Sequence, residues 1–265
     1  MNRLLQLLHD NRARAIKAGP QTRIVQAAKS GEATVYLYDM IVSDQLTAEY
    51  WGGVCAQDLV PQIEGIEADV IHCRINSPGG DVFAGQSIAA ALERHSAQVI
   101  AHIDGLAASA ATRVACAADQ VLMADGSFYM IHNAWTFAMG NRHELQKTIE
   151  QLAKVDANLA AQYVEFSGKG LEQVQAWMDS ETWFTQAEAI DAGFCSGPEV
   201  DADSSAQAAE RARLWNLRAY GNAPQALFAG APAPQPAGDQ VHYIEQPHRD
   251  RQLQRLSLLA RTRSL

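Results

Sequence analysis

Four short runs of β-branched and apolar residues recur through the middle of the chain: ATVYLYD from Ala33, ADVIHCRIN from Ala68, AQVIAHI from Ala97 and QVLMA from Gln120. Their length and composition predict strands. AGQSIAAALERH and AASAATRVACAAD lie between them, with an alanine content and apolar spacing that favour helix. Strand and helix in alternation predict an α/β domain with a largely parallel sheet. From Asn141 to Phe166, Leu145, Ile149, Leu152, Val155 and Leu159 draw one apolar stripe along a long helix, which SGKG ends. LEQVQAWM and TQAEAIDAG follow as shorter helices, the second closed by Gly193.

The two ends read differently. MNRLLQLLHDNRARAIKAG is basic and amphipathic, with an apolar core too short for a secretory signal, and predicts a packing or partner-contacting helix ended by Gly19-Pro20. Residues 201–221 still allow helix, whereas 222–240 are rich in Pro, Ala and Gly and read as a linker. Residues 241–265 form a basic, leucine-bearing tail.

Composition then removes several function classes. The formal charge is −9, with Lys and Arg scattered rather than clustered, which argues against a nucleic-acid surface. No apolar run reaches the roughly 20 residues of a membrane-spanning helix, so no membrane partner is expected. Cys55, Cys73, Cys116 and Cys195 form no CxxC pair, so neither a metal nor a redox cofactor is implied.

Within the α/β region three turns carry candidate chemistry. Ser109 follows the strand AQVIAHI and the turn DGL, at or near a helix start. Serine there commonly caps a helix; the same place also offers helix-start amides and a dipole that stabilise developing negative charge. RINSPGGDVFAG ends a strand with Ser77-Pro78-Gly79-Gly80, a geometry suited to a tight βα turn or to peptide N–H groups facing a ligand. It lacks the spacing of a dinucleotide or phosphate loop. His132 ends the strand-like SFYMIH, either as a strand-end histidine or as a base for Ser109, and acids in MDSETWFT are candidates to orient it.

INSPGGDVFAG, GLAASAA, MIHNAW, the long helix after it and ETWFTQAEAIDAGF, in this order, resemble the proteolytic subunit of the Clp protease, the ClpP family of serine peptidases. The likeness covers about residues 33–200. It implies a ClpP/crotonase-like spiral of βαβ units with a protruding handle helix, bounded by an N-terminal helical extension over 1–32. It also implies Ser109 as nucleophile, His132 as general base, and the backbone N–H groups of Gly80 and Ala110 as the oxyanion hole. The family register puts the orienting acid at Glu181, a glutamate where the family has aspartate, with Asp179 as the alternative. Protein or peptide substrates and a homo-oligomeric ring are implied as partners, and an AAA+ unfoldase for the general members of the family.

The extra segments at both ends and the ETWFT wording are similar to ClpP-like enzymes of tailed bacteriophages. Those enzymes process capsid and scaffold proteins in the host cytoplasm or the prohead. Two readings from other classes stand beside this one: an acyl-CoA enzyme of the crotonase type, which has no need of Ser109 and His132 together, and a non-catalytic assembly protein.

Overall fold

A computed structural model of the chain describes residues 22–27, 31–199, 217 and 220–228. The helix expected before Gly19, nearly all of 201–219 and the basic tail lie outside them. The described residues belong to one compact unit that ends at Ala229.

Ten strands and seven α-helices are described. The strands are β1 (Thr22–Ala27), β2 (Glu32–Leu37), β3 (Ile41–Val42), β4 (Val54–Cys55), β5 (Val70–Ser77), β6 (Gln98–Ala108), β7 (Gln120–Met123), β8 (Phe128–Ile131), β9 (Thr182–Thr185) and β10 (Gly197–Pro198). The helices are α1 (Gln45–Trp51), α2 (Ala56–Glu64), α3 (Val82–Glu93), α4 (Ala110–Ala115), α5 (Arg142–Ser167), α6 (Leu171–Asp179) and α7 (Gln186–Asp191), with a 3₁₀ turn at Gln225–Phe228.

The main sheet runs β1-β2-β5-β6-β7-β10, with β8 branching from β6 and β9 pairing β8. β2, β5, β6, β7 and β10 are parallel, as the alternation of strand and helix predicts. β1 adds antiparallel to β2, so a strand lies inside the stretch expected to be a helical extension, and the sheet starts before Ala33. Apolar side chains of β2, β5 and β6 meet those of α2 and α3: Leu37, Ile71, Ile75, Leu59, Ile63 and Ile88 are fully buried. Burial of this apolar surface is the main stabilising term. All four cysteines are free thiols.

β6 positions everything that follows. It does not stop before Asp104 but continues through Gly105 to Ala108. Its first half pairs with β7 through Ile100–Ile103, and its second half pairs with β8, Leu106↔Phe128 to Ala108↔Met130. Local alanine propensity favours helix over 107–119; this tertiary pairing overrides it up to Ser109, where the chain turns into α4.

α5 is capped at both ends. Asn141 and Glu144 form a reciprocal capping box, and Gly168, in the left-handed conformation, donates its N–H to Val164 O. Leu159, Ala160 and Tyr163 near its C-terminus are buried, whereas Leu145 and Ile149 near its N-terminus are exposed. The expected apolar stripe is therefore half covered, and its outer half projects from the domain like a handle.

Candidate active site

The strand register brings two of the expected side chains together. Ala108 pairs with Met130, so Ser109, one residue beyond β6, and His132, two beyond Met130, emerge side by side. Ser109 N–H donates to Met130 O at 2.9 Å, and the Ser109 carbonyl accepts from Thr112 N at 2.9 Å and from Thr112 Oγ1 at 2.5 Å. The Thr112 hydroxyl also meets the buried Tyr163 hydroxyl of α5 at 2.7 Å. These contacts hold Ser109 at φ 55, ψ −126, a strained conformation for a non-glycine residue. The serine side chain makes no helix-capping bond. Its Oγ lies 2.8 Å from His132 Nε2 instead.

His132 is buried, and that burial pulls its pKa down to about 4, against the opposing pull of the nearby Glu181 charge. The imidazole is neutral at pH 7. With the ring proton on Nδ1, Nε2 accepts from the serine hydroxyl, the arrangement a general base requires. The unfolded chain binds this proton near pH 6.5, so the folded protein is destabilised as pH falls from 6.5 toward 4 and is unaffected by this group above 6.5. The full effect is on the order of 3 kcal/mol. Urea melts of a His132→Gln variant should therefore show a flatter acid arm than the wild type across this window; parallel arms would contradict the assignment.

The SPGG turn backs onto the serine. Ser77, fully buried at the end of β5, donates from Oγ to Asp39 O at 2.6 Å and accepts from Gly79 N at 3.1 Å. Gly79, at φ 87, leaves no room for a side chain: a Cβ there would sit 2.5 Å from Ala108 O, 2.8 Å from Ser109 Cβ and 3.0 Å from Ala110 N. Gly80 is equally confined, its Cβ position lying 2.1 Å from Ile41 O. Ile41 N donates to Gly79 O, and Asp81 N donates to Ile41 O, so this bridge to β3 bypasses the Gly80 N–H. Among the described residues neither the Gly80 nor the Ala110 N–H has an acceptor. Asp81 Oδ1 caps α3 by accepting from Ala84 N at 2.7 Å.

The two acids part company. Asp179 Oδ1 accepts from Asn133 Nδ2 at 2.7 Å, and Asp156 Oδ1 from Ala134 N at 2.7 Å; together they pin the loop that leaves His132. Glu181, at φ 47, follows α6 and starts the turn into β9. Its carboxylate lies near enough to His132 to act on the ring charge, yet among the described residues makes no hydrogen bond to it. It accepts instead from Trp183 Nε1 at 3.2 Å, Asn222 N at 2.7 Å and Gly221 N at 3.0 Å.

Sequence reasoning missed Thr112 and Tyr163, which support the site, and Tyr220, whose ring packs edge-on against His132 at 5.6 Å. None stands in a motif of its own. The spacing of Thr112 three residues after Ser109 is the one local signal available.

The Clp protease family model matches residues 32–197, more than half of the chain. The chain is similar to the ATP-dependent Clp protease proteolytic subunit of Streptococcus pneumoniae, 26% identical over 69% of this chain and 97% of the relative. It is likewise similar to proteolytic subunit 1 of Mycobacterium tuberculosis, 26% identical over 58% of this chain and 78% of the relative. Among solved structures, an asparagine-to-aspartate mutant of ClpP1 from Listeria monocytogenes superposes with a TM-score of 0.54 at 25% identity, over 65% of this chain and 94% of that one. Sequence and fold thus agree, and the chain belongs to the Clp protease family.

Proposed function

We propose that the protein is a serine endopeptidase in which Ser109 is the nucleophile and His132 the general base. The observation that carries this reading is the 2.8 Å contact between Ser109 Oγ and the neutral His132 Nε2, at a strained junction beside two unengaged amides. Oγ attacks the scissile carbonyl carbon as its proton passes to Nε2. The Gly80 and Ala110 N–H groups receive the oxyanion. The C–N bond then breaks, the amine leaves with the proton from His132, and water repeats the sequence to release the acid and restore Ser109.

Glu181 is the orienting acid in this reading. Because α6 and its Asn133 contact commit Asp179 to the loop, Glu181→Gln is expected to lower kcat by roughly 10²-fold or more, and Asp179→Asn by no more than a few-fold. Steady-state peptide hydrolysis by the two variants checks this; the reverse ranking moves the role to Asp179.

Head-maturation cleavage of capsid or scaffold proteins is the physiological role we favour, on the segments outside 32–197 and the ETWFT wording. The relatives, named as subunits of ATP-dependent proteases, favour a second role beside an AAA+ unfoldase. The exposed Leu145 and Ile149 on α5 suit a homo-oligomeric ring in either case. Incubation with the proteins encoded beside it, with cleavage read by mass spectrometry, separates the two. Defined cuts without ATP support maturation; cuts only with an unfoldase and ATP support the second.

A further inference from the structure

Leu217 and residues 220–227, read from composition as the end of a helical extension and the start of a linker, lie against the candidate site. Leu217 is fully buried in an apolar cluster with Leu106, Ala108 and Met130, the strand ends that carry Ser109 and His132. Tyr220 stands edge-on to His132 at 5.6 Å and to Trp183 at 5.5 Å, and its hydroxyl donates to the carbonyl of Pro78 in the SPGG turn. The next two amides, of Gly221 and Asn222, both donate to the Glu181 carboxylate, and Asn222 Nδ2 donates to Ser180 O at 2.7 Å.

This one segment therefore touches the base, the SPGG turn and the acid at once. With Trp183 it gives the Glu181 carboxylate three N–H donors. A carboxylate that steers an imidazole must accept from its Nδ1–H, and here Glu181 is engaged elsewhere. An extended substrate must also reach Ser109 past the SPGG turn, whose Pro78 carbonyl Tyr220 already occupies.

We propose that Leu217 and residues 220–227 act as an intramolecular latch: they cover the peptide-binding cleft and withhold Glu181 from His132, so the protein is latent until a competing extended polypeptide displaces them. The inference rests on the hydrolase reading of Ser109 and His132. It accounts for the separation of Glu181 from the imidazole, and for a tyrosine seated on a histidine that must exchange protons with substrate.

Leu217→Asp in the full-length chain places an unpaired carboxylate in an apolar pocket and should expel the segment; Tyr220→Ala removes its central contact more gently. Two readouts are needed, acylation of Ser109 by a fluorophosphonate and carbethoxylation of His132 by diethyl pyrocarbonate, because the second needs no catalysis. Both rates are expected to rise at least tenfold in each variant. Adding a synthetic peptide of residues 217–228 should return the Leu217→Asp protein toward the wild-type rates. Equal rates in wild type and both variants, or slower ones in Tyr220→Ala with unchanged circular dichroism, overturn the latch. Faster His132 modification with no Ser109 acylation in any protein upholds the latch and removes the hydrolase reading instead.

Discussion

Replacing Ser109 with alanine is expected to abolish peptide hydrolysis, a loss of roughly 10⁴- to 10⁶-fold, while leaving the fold intact. The side chain makes no helix-capping bond, and among the described residues its one hydrogen bond is to His132 Nε2. The strained junction is held by backbone atoms and by Thr112, none of which the substitution removes. Alanine pays the same conformational cost as serine at φ 55, so the melting temperature should move little, whereas Ser109→Gly relieves that strain and should stabilise by about 1 kcal/mol. His132→Ala should lose as much activity as Ser109→Ala, and the double variant no more than either, because the pair acts as a unit. Additive losses would show that the two side chains work independently.

A methyl group at Gly80 should be nearly as damaging, by another route. Its Cβ would lie 2.1 Å from the Ile41 carbonyl oxygen and 2.8 Å from Ile41 N, backbone atoms of β3 that cannot swing aside as a side chain does. Either the bridge to β3 breaks or the turn moves away from Ser109. The expected destabilisation is about 3 kcal/mol or more, within the range for overpacking and strain at a special backbone position. The Gly80 amide is displaced with the turn, so acylation of the remaining folded protein should fall by 10²-fold or more. Denaturant midpoints and acylation rates on the same samples test both halves. A Gly80→Ala protein with wild-type values of each would show that the turn is neither tight nor part of the site.

Much of this arrangement was legible in the sequence because it is written locally. The β-branched runs of β2, β5, β6 and β7 and the stripe of α5 follow from periodicity, and Gly79 and Gly80 from the need for backbone closeness. The pairing of Ser109 with His132 is not local: it needs the second half of β6 to extend past Asp104 and lie beside β8, where alanine propensity points to helix. Their places at a helix start and a strand end made both residues candidates, and family resemblance, rather than periodicity, joined them as nucleophile and base. β3, β4 and α1 are too short to carry a clear period, and β3 gains its form from the bridge to Gly80, whereas α2 sets Ala56, Leu59 and Ile63 on one face that packs on α3. The partners of Glu181 were beyond reach for a similar reason. Gly221 and Asn222 come from 40 and 41 residues downstream, where the stretch that reads as a helical extension meets the one whose Pro, Ala and Gly content suggests a linker. Composition reports the entropy a segment must lose, and is silent on a single leucine finding a fully apolar pocket.

The central claim is that Ser109 is a nucleophile activated by His132. It is tested most directly by intact-mass and peptide mass spectrometry after exposure to a fluorophosphonate. One phosphonyl adduct per chain, mapped to Ser109, absent from Ser109→Ala and formed at least 10³-fold more slowly in His132→Ala, is the expected result. An adduct on another serine, or none on Ser109 even after Leu217→Asp has opened the cleft, would contradict it.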